Sequence, residues 1–402
     1  MANIVGTIRG EILYGTNSAD TINARAGYDE LYGFDGDDVL NGQGNDDFLV
    51  GGRGNDILNG GSGVDTASYE FATGGVVVNL ATGTSSGNQG HDTLVSIEDL
   101  RGSRFSDHLT GNRAANYIVS GDGDDTVSGG GGDDALTVGF GRDTVDGGRG
   151  NDTVSYDQRA FDPSSELGVW VSLRAGTSHF LSHPRIVDTL RSIENVETAS
   201  YNDHIEGDGH ANHLDAGNGD DFIAGGGGND TVDGGNDNDV LEGNAGSDYV
   251  DGGNGDDVVY ASGRIDTRES VHSHDVLEGG NGNDILVAGR GYDEMRGDLD
   301  ADTFRYRSIA DASGRVDHIT DFDQLDGDRI DLSQIDANAA TAANDAFVFR
   351  GTAASFTHPG EITYHVRGDT TYISLNTDSD ARPEAVIALD WAYHLTAHDF
   401  IL

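Results

Sequence analysis

The 402-residue sequence contains no cysteine, which excludes disulfide staples, thiolate metal ligands and a cysteine nucleophile. It contains no lysine either. All 23 basic residues are arginine, so Schiff-base chemistry and any function that depends on lysine acylation are excluded. No basic, apolar leader follows Met1, and no run approaches the roughly 20 apolar residues that span a bilayer. A transmembrane segment is therefore not expected. Positive charge is scarce as well: 71 acidic residues face those 23 arginines, and the formal net charge is -48. Nucleic acid and anionic membranes are poor partners for such a field. The same self-repulsion opposes collapse unless cations neutralise it.

What the chain has in excess is glycine and aspartate. There are 61 Gly, and 57 of the acidic residues are Asp, a bias toward turns with short carboxylates rather than toward charged helices. Low complexity of this kind can mean disorder, but 35% of the residues are hydrophobic and they recur at fixed spacing. The period is nine. Asp20, Asp29, Asp38, Asp47, Asp56 and Asp65 are followed two residues later by Ile22, Leu31, Leu40, Leu49, Leu58 and Ala67. A second run, Asp107, Asn116, Asp125, Asp134, Asp143 and Asp152, carries Leu109, Ile118, Val127, Leu136, Val145 and Val154 at the same offset. A third keeps the phase for twelve positions, Asp203, Asn212, Asp221, Asp230, Asp239, Asp248, Asp257, Asp266, Asp275, Asp284, Asp293 and Asp302.

Glycine-rich residues in each repeat permit positive φ and bring carbonyls together, and the following three residues form a short strand. One repeat cannot bury its single apolar side chain, so repeats must stack into a solenoid around a ladder of Ile, Leu and Val. Stacking aligns carboxylates and carbonyls in oxygen-rich turns, the surroundings that a hard cation such as calcium prefers.

The clearest copies are Gly51-Gly52-Arg53-Gly54-Asn55-Asp56-Ile57-Leu58-Asn59 and Gly147-Gly148-Arg149-Gly150-Asn151-Asp152-Thr153-Val154-Ser155. They resemble the repeats-in-toxin, or hemolysin-type, nonapeptide. The resemblance implies an all-β fold: a parallel β-roll with calcium-binding turns, interrupted by two β-insert segments and closed by a β-rich C-terminal cap. It also implies multiple bound calcium ions, each held between turns two repeats apart by the sixth-position Asp and backbone carbonyls. The ligands so implied are Asp29, Asp38, Asp47, Asp56, Asp125, Asp134, Asp143, Asp152, Asp221, Asp230, Asp239, Asp248, Asp257, Asp275, Asp284 and Asp293. Runs of six, six and twelve repeats then hold roughly 18 ions, about +36 against the net negative charge. Asp20, Asp107, Asp203, Asp266 and Asp302 are weaker candidates at run ends or breaks. Arg268 stands where the repeat of Asp266 needs an apolar residue, and Asn116 and Asn212 lack the charge.

The inserts, residues 66–106 and 153–202, are copies of one another. Ser68-Tyr69 matches Ser155-Tyr156, and Asp92-Thr93-Leu94 matches Asp188-Thr189-Leu190, each fifteen residues before the Asp that restarts the array. Such fixed geometry predicts longer strands that continue the solenoid. Catalytic spacing is thin in them. Gly83-Thr84-Ser85-Ser86-Gly87 fits a nucleophile elbow formally but lacks a strand-to-helix setting, and His91, His179 and His183 are scattered. No zinc helix of the His-Glu-x-x-His type occurs, and no catalytic residue is assigned.

After Phe304 the period ends and alternating strands follow. Ile319-Thr320-Asp321-Phe322-Asp323 and Gly327-Asp328-Arg329-Ile330-Asp331-Leu332 look like the C-terminal module of serralysin proteases and the repeat modules of alginate epimerases. Asn376, Asp378 and Asp380 have loop-like ligand spacing, although Ala381 and Ile387 occupy the Gly and Glu positions of an EF-hand. The end, Asp399-Phe400-Ile401-Leu402, is similar to the tails that the family presents uncleaved to type I secretion machinery.

The expected organisation is an N-terminal cap and first array (1–65), insert (66–106), second array (107–152), insert (153–202), third array (203–304) and C-terminal module (305–402). The expected protein is secreted, binds calcium, folds on binding it, and acts without catalysis at the cell surface or in the extracellular matrix. No protease or epimerase domain is expected in residues 1–14. The alternatives are an enzyme with a polysaccharide groove on the solenoid and an adhesin or surface-layer component, so extracellular polysaccharide and the cell surface stand beside calcium as expected partners.

Overall fold

The computed structural model describes residues 1–156, 168–264, 273–338, 340–341, 344–353 and 355–402. Asp266 and Arg268 lie outside them. Among the described residues the fold is all-β, with short strands in two sheets and one 3-10 turn at Ala397–Asp399 as the only helical element. The chain divides into two compact units, Met1–Ala199 and Ser200–Leu402.

In the first unit, alternate repeats send their strands to alternate sheets. Asn3–Val5, Thr21–Asn23, Val39–Gly44 and Ile57–Ser62 pair in parallel in one sheet. Ile12–Tyr14, Glu30–Asp35, Phe48–Arg53 and Thr66–Ser68 do so in the other. Two repeats make one full turn, so Leu40 stands beside Leu58 and Leu31 beside Leu49. Every apolar residue at the Asp+2 offset in the first two runs is buried, and the two sheets enclose that single ladder.

The first insert does not continue this pattern with longer strands. Its chain returns through a hairpin, Val76–Asn79 against Thr84–Gly87, and Thr84 then meets Thr93 of Thr93–Val95 in antiparallel register. Thr93–Val95 lies parallel to Ile57–Ser62 at one side of the splice, and Val76–Asn79 lies parallel to His108–Thr110 at the other. Turns at Leu80–Gly83 and Gly87–Gly90 make this reversal local. The second insert repeats it with Val169–Ser172, Thr177–Phe180 and Asp188–Arg191, the last parallel to Thr144–Arg149.

In the second unit the same roll runs from His204–Glu206 and His213–Asp215 onward, with one departure. Tyr249 pairs with Val276 and Val258 with Ile285, a step of 27 residues where the other nonapeptide strands of this unit step by 18. One nonapeptide length is thus skipped in both sheets. The additional nine residues fall between Tyr260 and His274, a stretch whose sequence includes Asp266 and Arg268. Among the described residues the third array therefore stacks eleven repeats, where the sequence period suggested twelve.

The unit is closed by three antiparallel strands, Glu361–Arg367, Thr370–Asn376 and Ala385–Leu389. Ala385–Leu389 pairs in parallel with Asp317–Ile319 of one sheet, and the C-terminal Phe400–Ile401 pairs with Arg329–Asp331 of the other. Ile362, Ile373, Leu375, Ile387 and Leu389 bury the end of the ladder, as a solenoid terminus requires.

Candidate metal centre: the aspartate columns

The repeat places each sixth-position Asp at the start of a strand with its carboxylate turned along the stack. Its Oδ1 accepts the backbone N–H of the Asp one full turn earlier: Asp20 donates to Asp38 at 2.7 Å, Asp38 to Asp56 at 2.8 Å, and Asp29 to Asp47 at 2.9 Å. Glu11 donates to Asp29 at 2.7 Å. Asp125, Asp134, Asp143 and Asp152 accept from Asp107, Asn116, Asp125 and Asp134 at 2.8 Å. In the second unit Asp221, Asp230, Asp239, Asp248 and Asp257 accept in turn, at 2.6–2.9 Å. Across the skipped repeat the columns resume with Asp275 and Asp284, each at 2.8 Å. Asp293 is buried in the same column and donates to Asp317.

The other carboxylate oxygen is the informative one. In Asp29, Asp38, Asp47, Asp56, Asp125, Asp134, Asp143, Asp152, Asp221, Asp230, Asp239, Asp257 and Asp284 the Oδ2 is buried and has no hydrogen-bond partner. A buried, unpaired carboxylate oxygen is costly, so each needs a cation or a proton. Glycine makes the space it occupies. A Cβ on Gly51 would lie 2.4 Å from Asp56 Oδ2, and one on Gly234 would lie 2.4 Å from Asp239 Oδ2. At these two aspartates the cradle is thus kept open by the glycine five places earlier.

Burial without compensation pushes these carboxyls up: Asp47, Asp56, Asp125 and Asp284 to about 7, and Asp143, Asp221 and Asp239 to about 8. Loss of solvation is the largest cause in each, and neighbouring carboxylates of the column add to it. The residues present therefore fit calcium, which supplies the missing positive charge and takes oxygen ligands alone.

The weaker candidates separate on the same criterion. Asp20 accepts from Thr16 and Ala2, and Asp107 accepts from Ser103 and Val76, so the carboxylate oxygens of both are already satisfied. Hydrogen bonds from Thr16 and Ala2 accordingly hold Asp20 below the ordinary carboxylate range. Asp65 and Asp302, by contrast, keep a buried unpaired Oδ2 and join the set. Asp65 is not in the ligand set that the resemblance implies.

Sequence reasoning missed acceptors outside the strict period. Asp92 accepts from Asp56 at 3.0 Å and Asp188 from Asp143 at 2.9 Å. Glu98 and Glu194 accept from Asp65 and Asp152, and Asp328 accepts from Asp302 at 3.0 Å. The signal was present: Leu94, Leu190, Ile319 and Ile330 follow Asp92, Asp188, Asp317 and Asp328 at the repeat's own +2 offset.

Ser85 of the elbow-like pentapeptide lies in the strand Thr84–Gly87, is buried, and bonds to Asp92. His179 packs against Trp170 with ring centroids 5.2 Å apart, and His91 is exposed. In the cap, carboxylate oxygens of Asp378, Asp380 and Glu384 lie within 4.8 Å of one another. Glu384 is the third member of that group, while Ile387 is buried in the cap core.

Comparison with known proteins agrees with this geometry. Residues 14–49, 32–67, 97–127 and 128–158 match the RTX calcium-binding nonapeptide repeat. Residues 192–402, just over half of the chain, match the peptidase M10 serralysin C-terminal family. No curated protein matches the sequence. Among solved structures the chain is similar to the solution structure of the AlgE6R3 subunit from the Azotobacter vinelandii mannuronan C5-epimerase. That match has 24% identity over 41% of this chain and 78% of that one, with a TM-score of 0.18, a value too low to carry an argument. Multiple calcium ions are the ligands of such repeats, and the chain belongs to the serralysin C-terminal family with RTX calcium-binding nonapeptide repeats.

Proposed function

We propose that this protein is exported unfolded through a type I channel and folds outside the cell when calcium fills the aspartate columns, acting there as a non-catalytic extracellular or surface component. The observation that carries the reading is the buried, unpaired Oδ2 repeated through both units. A chain with this many uncompensated carboxylates is unstable where calcium is scarce and stable where it is plentiful. Asp29, Asp38, Asp47 and Asp56, then Asp125, Asp134, Asp143 and Asp152, then the column from Asp221 to Asp293 hold the ions. With one repeat skipped, the count falls from roughly 18 to about 17. The division into arrays, inserts and C-terminal module follows the same columns.

Export is tested by secretion with and without residues 399–402 in a host carrying a type I exporter. The tail forms the strand Phe400–Ile401 in the folded cap, so its use as an address requires that the chain be unfolded during passage. The reading expects full-length protein in the medium and the truncated chain inside the cell. Equal secretion of both would refute the address.

An adhesive role has a specific observation behind it. Tyr14 and Tyr32 stack at 5.3 Å, and Tyr14 and Phe34 at 6.0 Å; Tyr14 and Phe34 are largely exposed. Flat aromatic rows of this kind suit sugar rings, and a glycan-binding screen of the calcium-loaded protein tests it.

A further inference from the structure

Asp92 and Asp188 stand in the columns but differ from the array aspartates at the oxygen that matters. Asp92 Oδ2 accepts from the Tyr69 hydroxyl at 3.0 Å and from the Ser85 hydroxyl at 2.7 Å, and Ser85 Oγ in turn accepts from Asp92 N at 3.1 Å. In the second insert Ser178 donates to Asp188 Oδ2 at 2.9 Å, and the Tyr156 hydroxyl bonds to Ser178 Oγ. Because Ser178 spends its one proton on Asp188, Tyr156 is the donor in that second bond. Tyr69, Ser85 and Asp92 are 6%, 6% and 4% exposed, and Tyr156, Ser178 and Asp188 are 3%, 0% and 2% exposed, so water replaces none of these contacts.

We infer that Tyr69–Ser85–Asp92 and Tyr156–Ser178–Asp188 are metal-free rungs, in which hydroxyl donors take the place that calcium holds at the array aspartates whose Oδ2 is open. This rests on the reading that the array aspartates bind calcium. A carboxylate that already accepts from buried hydroxyls has its lone pairs engaged. Calcium binding would leave the Tyr69 and Ser85 hydroxyls at Asp92, and the Ser178 hydroxyl at Asp188, as buried donors without partners, which is costly. The arrangement recurs at the equivalent place in both inserts, with different spacing: Ser85 lies seven residues before Asp92 and Ser178 ten before Asp188. Two loops of unequal length converge on one polar solution. The consequence is that each insert interrupts the ion column running through Asp38 and Asp56, and through Asp125 and Asp143. Calcium is then taken up as separate segments rather than as one continuous filament.

The test counts bound calcium on the full chain, by native mass spectrometry and by equilibrium dialysis, for wild type, Asp56→Asn, Asp92→Asn and Ser85→Ala. The inference expects one ion or more to be lost in Asp56→Asn and none in Asp92→Asn. Loss of an ion in both would overturn the metal-free rung while leaving calcium in the arrays. No loss in either would remove the array reading itself, and the inference with it. Ser85→Ala covers the case in which Asp92→Asn fails to fold. Removing a hydroxyl that blocks Oδ2 leaves the count unchanged or raises it, whereas a count lowered by one would show that Ser85 belonged to an ion site.

Discussion

At the scale of single residues, the account turns on carboxyls whose folded-state affinity for protons lies well above that of a free aspartate. Asp38 is pushed up to about 6, Asp56 to about 7 and Asp239 to about 8, chiefly by burial. An acid raised in this way binds more protons folded than unfolded between pH 4 and its folded value, so calcium-free stability falls as pH rises through that window. The calcium-free protein is accordingly most structured near pH 4 and least above pH 8. Calcium, which competes with those protons, releases them on binding. Circular dichroism of the calcium-free protein should show more strand at pH 4 than at pH 8, and equal or greater strand content at pH 8 would contradict the burial of uncompensated carboxyls. Glycine gives a second test. Replacing Gly by Ala at an ordinary φ stabilises a protein by about 0.4–1 kcal/mol. Gly234 has no positive φ, but its Cβ would meet Asp239 Oδ2 at 2.4 Å. Gly234→Ala is therefore expected to weaken calcium binding several-fold, and unchanged affinity would show that the cradle is not the ion's.

At the scale of elements, the roll was legible because one strand per nine residues and one apolar side chain per strand leave few other ways to bury the ladder. The two-sheet pairing of Leu31 with Leu49 and Leu40 with Leu58 follows from that spacing. The inserts were legible as copies but not as hairpins. Val76–Asn79 and Thr84–Gly87 reverse direction through a short turn whose residues also suit an irregular loop, and periodicity carries no sign of strand direction. The skipped repeat had a clue in Arg268, yet an unbroken nine-residue phase concealed the 27-residue step. Least legible were the hydroxyl contacts of Tyr69 and Tyr156, because they depend on where a hairpin places Ser85 and Ser178. Position within a column also has a measurable consequence. Asp239 has column neighbours on both sides, donating to Asp257 and accepting from Asp221, whereas the carboxylate of Asp20 is already satisfied by Thr16 and Ala2. In calorimetry Asp239→Ala should remove at least one ion and broaden the transition, with Asp20→Ala leaving the ion count as it is; equal losses would sink the distinction between open and satisfied carboxylates.

At the scale of the whole molecule, a net charge of -48 and one buried apolar side chain per repeat cannot together hold a fold against chain entropy. On the proposed reading, binding free energy becomes folding free energy. Cooperativity follows because each ion orders turns that its neighbours use, within segments bounded by the inserts. The serralysin-type cap closes the second unit over both sheets and gives its last segment a fixed end. The most direct test is far-ultraviolet circular dichroism of the purified full-length chain at neutral pH during a calcium titration. A steep coil-to-strand transition is expected, reversed by chelator and poorly reproduced by magnesium, which demands stricter octahedral geometry. A strand-rich spectrum that persists unchanged in excess chelator would contradict the account, leaving calcium as a surface counter-ion to a protein that folds without it.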